Sequence, residues 1–515
     1  MDSRVTKVRD LAIRHPYIVS AIPCVLLWII TGGSVNFLNN IGITTAAQMV
    51  IYLVLFLCVT AVFVVMAIRR KLNDKISCLI ISIGGFLSRA WYAMYSLTND
   101  AYQHDFGNFD YDLHYAVHDN YILYLVKEGH LPDFDFRGLG QFYHPPLHHI
   151  ISAVACKINS FVFPGREGNY EFLMCISLFY SLAVLILIYR ILRYFKIEGK
   201  ALVFSFMLAA FYPFMIISAG QINNDPLASL LFIAAFYQAL LWYRKPGFKK
   251  IILIAVFIGC AMMSKISAGL IALPVAFIFL AALIRSRFRS KDLWLQFASF
   301  AAIVFPLGLW FPVRNYIRWG IPPTYVFDLG ILPKQDLTVF TPLQRLFGFS
   351  EVTMSIPFVV FGEDYRDFNT FTILFKSSLF DDFDHHDQSL FILLSTLVFF
   401  LGVAVLIMFV VGLVKTVITA VRERSVELTA VLILLVTEFT SAVIFGFKYP
   451  LVCSISFRYI FPTVICFTIF AAACFRPSKN QYAMLLQKIA SGVVVLFSLA
   501  SVAFYACEWM GMPFF

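Results

Sequence analysis

Charge is what this chain has least of. Asp, Glu, Lys and Arg together make up only 14% of its 515 residues, where soluble domains carry about a quarter. The shortage excludes an ordinary water-soluble domain. What fills the space is apolar: hydrophobic residues reach 60%, aromatics 17%, and mean hydropathy is +0.81. Patterned cysteine is missing as well. The ten cysteines are scattered, mostly inside apolar runs (Cys24, Cys58, Cys78, Cys175, Cys260, Cys466), with no C-x-x-C spacing. They read as small core hydrophobes, which excludes a disulfide framework and a zinc ribbon. There is no H-E-x-x-H, which argues against a metalloprotease. No low-complexity linker or short repeat divides the chain, so residues 1–515 read as one membrane domain.

The apolar residues fall into runs of the ~20 residues a helix needs to cross the hydrocarbon layer. Thirteen spans are expected, at 17–38, 46–68, 76–97, 170–190, 201–219, 226–243, 251–264, 267–284, 293–313, 389–414, 427–446, 457–475 and 486–507. The first is long enough to span and no small-residue cleavage site follows it, so it reads as a span and not a signal peptide. The net charge of +10 would suit nucleic acid, but its distribution points to a membrane. Seven clusters between particular spans, such as Arg69/Arg70/Lys71/Lys75 and Arg285/Arg287/Arg289/Lys291, hold 26 of the 40 Lys and Arg. All lie on one side if the N-terminus is cytoplasmic, as the positive-inside rule requires. No nucleic-acid partner is expected; membrane lipids are.

The same rule handles the apolar stretch 146–162. If it crossed, every later basic cluster would move outside, so it is expected to lie along the outer surface, with Pro145-Pro146 at its start. A second surface helix is expected over 112–128, stopped by Gly129 and Pro132. The fold class is thus an all-α polytopic membrane protein of about thirteen transmembrane helices, with interfacial helices in the first of two large outer loops. The loops run over 97–170 and 314–388, and 389–515 holds the last spans.

Polarity concentrates in the first loop. Seven of the ten histidines fall within 103–149, and Asp100, Asp105, Asp110, Asp112, Asp119, Glu128, Asp133 and Asp135 face only Lys127 and Arg137. A solvated acidic loop would explain the charges but not the interleaved Phe, Tyr and His. On the same outer side stand Asn223, Asn224 and Asp225 between two spans, Lys265 at a span end, Arg314 with Asn315, Arg458 with Tyr459, and Arg89 in the outer half of the third span. Cations at span ends often snorkel. Their coincidence with the acidic loop suits group transfer instead. Cations can hold a phosphate whose charge grows as it leaves, and a carboxylate can take a proton from an incoming hydroxyl.

Several stretches resemble one family. They are QHD (103–105), YILYLVKEGHLPD (121–133), FYHPPLHH (142–149), QINNDPLASLLF (221–232), SKISAGLIALP (264–274), PVRNYIRWGIP (312–322) and FRYIFP (457–462). In order and spacing they resemble the C-type (GT-C) membrane glycosyltransferases that use polyprenyl-phosphate sugars, especially the protein O-mannosyltransferase and aminoarabinose-transferase relatives. The resemblance covers about 76–322 and returns at Phe457. It implies transfer of a sugar, a mannose-like hexose, from a polyprenyl-phosphate donor to a hydroxyl on a protein, lipid or polysaccharide at the outer face, with inversion. It implies Asp105 as the base, with His104, Asp112 and Asp119 orienting partners. Lys265, Arg314, Arg458 and Arg89 become donor-phosphate contacts, and Tyr143, His144, His148, Asn224, Asp225 and Tyr459 shape the site. Many relatives carry adjacent Asp-Glu where this chain has His104-Asp105, which leaves open which carboxylate is the base.

Two rivals stand beside this reading. His114 and His118, four apart near Asp119, have metal-ligand spacing, and His144, His148 and His149 add ligands, so a divalent metal is the one cofactor considered. A transporter or flippase of lipid-linked sugars would instead place ionisable residues at mid-membrane and break its helices.

Overall fold

The computed structural model describes residues 16–30, 42, 45–95, 118–165, 171–330, 332–381 and 389–508. These residues are mostly helical, and no strand occurs among them beyond an isolated bridge between Asp336 and Leu451. Among the described residues ten helical runs are long and apolar enough to cross a membrane: Val50–Ile68, Asp74–Met94, Met174–Tyr194, Asp225–Arg244, Ile266–Arg285, Lys291–Trp319, Ile392–Glu423, Val426–Lys448, Val452–Cys474 and Gln481–Ala506. The all-α membrane architecture is as expected, and these runs fall on ten of the thirteen expected spans. The other three expected spans fall on shorter helices, Pro16–Ile30, Gly199–Phe211 and Phe248–Ser264, of 15, 13 and 17 residues.

Outward faces are apolar. Val50, Leu53, Leu57, Val64 and Ile68 project from Thr45–Ile68, and Leu393, Ile407, Val410 and Val421 from Ser389–Glu423. Faces of this kind are stable against lipid tails, not water. Inside the bundle, Asp225–Arg244 returns through a short turn to Phe248–Ser264, which packs in turn on Lys291–Trp319.

The run 201–219 reads as one span, yet its helix stops at Phe211 and resumes at Pro213. Pro213 has no N–H, so a carbonyl one turn earlier loses its donor. Arg89 supplies the replacement. Its guanidinium donates to the carbonyls of Ala210 (2.7 Å), Ala209 (3.4 Å) and Gly85 (2.9 Å), and its Nε to Ser181 Oγ (2.9 Å). A Cβ at Gly85 would come within 2.9 Å of that guanidinium, so the close approach needs glycine. The expectation that Arg89 contacts a donor phosphate, or snorkels, is therefore corrected: it is fully buried and holds a broken helix together.

The first loop also departs from expectation. A helix does end at Glu128, where Gly129 turns at φ +73°, but it is not a surface helix. His118, Asp119, Asn120 and Tyr121 through Leu125 are all buried. Tyr121 stacks between Phe142 and His149 with centroids 4.7 and 4.4 Å away. Two apolar faces meeting below outweigh the exposure its charges suggest. Leu147–Val162 is amphipathic, burying His148, His149, Ser152 and Cys156 while Ile150, Val154, Ile158 and Phe161 face outward. That apolar stripe suits a helix lying on a membrane.

Candidate active site

The candidate site begins at a helix start. Asn223 Oδ1 accepts the Asp225 N–H (2.9 Å), and Asn224 Nδ2 donates to the Ser264 carbonyl (2.6 Å). These bonds tie the start of Asp225–Arg244 to the end of Phe248–Ser264, so Lys265, the next residue, meets Asp225 in an ion pair. The Lys265 ammonium also lies 4.6 Å from the centre of the Tyr459 ring. Arg458 sits 5.0 Å from the same ring and donates to the Tyr459 hydroxyl at 3.0 Å. Two cations thus meet at one tyrosine ring beside one carboxylate.

The first loop supplies the other wall. His118 stacks between His144 and His149, each ring 5.3 Å away, and its Nδ1 shares a hydrogen with His149 Nε2 at 3.0 Å. His148 Nε2 donates to the Ile222 carbonyl at 3.2 Å. Burial pushes the His118, His144 and His149 imidazoles well below their ordinary range. Neighbouring histidines add to this at all three, and Lys265 and Arg458 at His118 and His144. Burial likewise raises the Tyr143 hydroxyl. The histidines stand as neutral donors and acceptors at neutral pH. Asp119 is fully buried at the start of its helix, its Oδ1 accepting the Asn120 N–H (2.7 Å).

An open cleft of about 450 Å³ leads to this place, with Gln141, Tyr143, Asp328, Tyr449, Arg458 and Tyr459 among its walls. A smaller recess below it is lined by Asp225, Ser229, Lys265, Glu438, Arg458 and Tyr459. The residues named from sequence thus sort into groups. Asn224, Asp225, Lys265, Arg458, Tyr459, Tyr143 and His144 come together, with His118 in electrostatic reach of Asp225, Lys265 and Arg458. Arg314 stands apart: it donates to the Pro132 carbonyl and to Asn315 Oδ1 (3.0 Å), and lies 5.0 Å over Trp319. Arg89 is engaged with Ser181 and the carbonyls of Gly85, Ala209 and Ala210. His104, Asp105, Asp112 and His114 lie outside the described residues.

Among the described residues no group of three or more His, Cys, Asp and Glu is arranged to hold a metal ion. One residue escapes a reading of the sequence, Glu438, and its signal is present: a lone carboxylate inside the run VLILLVTEFTSAV.

Residues 144–310 match a family model described as dolichyl-phosphate-mannose-protein mannosyltransferase. No curated protein matches the chain significantly. Among solved structures, an Archaeoglobus fulgidus oligosaccharyltransferase tethered to an acceptor peptide is similar at 16% identity and TM-score 0.44, over 83% of this chain and 55% of that one. ArnT from Cupriavidus metallidurans is similar at 14% identity and TM-score 0.44, over 78% of this chain and 73% of that one. The archaeal oligosaccharyltransferase AglB from A. fulgidus, in complex with an inhibitory peptide and a dolichol-phosphate, is similar at 13% identity and TM-score 0.46, over 83% and 56%. The chain therefore spans little more than half the length of the two archaeal proteins. The family match runs from His144 to Trp310, within the stretch of about 76–322 whose motifs carry the resemblance to C-type membrane glycosyltransferases.

Proposed function

We propose that this chain is an integral membrane glycosyltransferase that moves a mannose-like hexose from a polyprenyl-phosphate donor to a hydroxyl acceptor at the outer face of the membrane. The observation that carries the reading is the meeting of Lys265 and Arg458 on Tyr459, beside Asp225, at the foot of an open cleft. Such a pair of cations suits a lipid phosphate that gains charge as it leaves. Asp105 takes the acceptor's proton and the freed oxygen attacks the sugar's anomeric carbon. The bond from that carbon to the phosphate oxygen breaks, and the phosphate keeps the electron pair. A single displacement of this kind inverts the anomeric centre. Asp112 and Asp119 orient the base or the acceptor, Asp225 fixes Lys265, and Tyr143, His144 and Tyr459 shape the space for the sugar. Arg314 acts through the 118–133 segment it holds.

Asp105→Asn tests the base. It keeps the size and most of the hydrogen bonding, so turnover should fall by roughly 10²–10⁴-fold while farnesyl phosphate still binds. Near-normal turnover would remove Asp105 from the mechanism. If no member of a panel of polyprenyl-phosphate sugars supports transfer by the purified wild type, the glycosyltransferase reading itself falls. Movement of a lipid-linked sugar across vesicles without transfer would put the flippase in its place.

A further inference from the structure

Glu438 lies twelve residues into the helix Val426–Lys448, well inside an apolar span, and its side chain is 3% exposed. A carboxyl is costly to bury unless something bonds it, and nearly all buried polar atoms have partners. Its Oε1 has none among the described residues. Lys265, which lines the same recess, is committed to Asp225. A helix that served only to pack would be better off with leucine at this position. The carboxyl faces the recess shared with Asp225, Ser229, Lys265, Arg458 and Tyr459. That recess measures about 20 Å³, room for one water-sized group. A sugar ring does not fit there. One hydroxyl of a ring held above it, between the Tyr459 face and the first loop, does.

We propose that Glu438 is a specificity-determining contact for the donor: its Oε1 accepts a hydrogen bond from one hydroxyl of the sugar being transferred, seated in the recess beneath Lys265 and Tyr459. The inference rests on the glycosyltransferase reading and deepens it. It assigns a polar subsite to the sugar, where Lys265 and Arg458 serve the phosphate. The depth of the subsite matters. A hydroxyl that reaches it is stripped of water, so a donor lacking that hydroxyl leaves the carboxyl unpaired and is strongly rejected. An ordered water held permanently in the recess is the competing occupant, and it would give no such rejection.

The test uses the full chain in lipid nanodiscs. The donors are polyprenyl-phosphate-linked mannose, glucose and galactose, together with the monodeoxy analogues of whichever supports turnover. The wild type should reject one particular deoxy donor by about ten- to a hundredfold in kcat/KM. Glu438→Leu should lose a similar factor with the full donor, little with that deoxy donor, and nothing in its affinity for farnesyl phosphate, which lacks a sugar. The discrimination then collapses at one hydroxyl only. Glu438→Gln retains an accepting oxygen and should keep part of it. Equal losses with every donor, or no loss, would overturn the proposal in favour of packing. Should the leucine variant fail to fold, the wild type still decides, since equal use of all monodeoxy donors also overturns it. Absence of turnover with every donor is a different result and counts against the glycosyltransferase reading.

Discussion

Two lysine–aspartate pairs of the same chemistry sit in different surroundings. Lys376 and Asp367 are sealed, with side chains 0% and 1% exposed. Lys376 donates to both Asp367 oxygens, at 3.1 and 2.8 Å, and the carboxylate also accepts from the Val360 N–H (3.0 Å) and the Tyr365 hydroxyl (3.2 Å). Every bond lies within residues 360–376, so the pair pins the second large loop to the middle of the helix Thr370–Phe380. Lys265 and Asp225 are 15% and 9% exposed, join the ends of two different helices, and line a recess beside Arg458 and Tyr459, which wall the cleft. Closure on all sides marks a pair that holds structure. A pair with a second cation, an aromatic face and open space beside it is arranged to receive something.

The contrast breaks most sharply at the closed pair. Lys376→Met leaves a buried carboxylate uncompensated and should cost about 3–5 kcal/mol, since removing one partner of a sealed pair forfeits the desolvation already incurred. Thermal melting in detergent reads this directly. Asp367→Asn in the same chain should recover part of the loss. An unchanged melt would mean that water reaches Lys376.

The open pair should behave differently. In Lys265→Met, Arg458 remains in electrostatic reach of Asp225, so the melt should move less than at Lys376. Affinity for farnesyl phosphate should fall by about 1.5–3 kcal/mol, the cost of one charge-assisted hydrogen bond. Loss of stability without loss of phosphate affinity would place Lys265 in the same class as Lys376.

Much of this arrangement is legible in the residues. Scarce charge and runs of ~20 apolar residues announce the helices. The joint of Asn224, Asp225 and Lys265 is legible because QINND and SKIS both interrupt apolar runs, and Arg458-Tyr459 stands out likewise. Other features depend on contacts between distant segments. Arg89 reads as a free cation until Pro213, far along the chain, is seen to leave carbonyls without donors beside it. The helix His118–Glu128 looks solvated until Phe142 and His149 close over Tyr121. Glu438 escapes notice for the opposite reason: one carboxylate barely lowers the hydropathy of its run, although its rarity there is the informative fact.

The smallest expected effect sharpens the comparison at the histidines, which belong to the open site yet are packed like the closed pair. His118, His144 and His149 have folded-state values well below the ordinary ~6.5. Above that value both folded and unfolded forms are neutral and pH does not matter. As pH falls below it, the unfolded chain binds protons that the folded chain refuses, so stability falls with falling pH. The melting temperature should therefore be flat from pH 8 to about 7 and decline through the acid range. Replacing the hydrogen-bonded pair, His118→Gln with His149→Gln, should flatten that decline. A slope that survives the double replacement would assign the acid sensitivity to other groups, His144 among them.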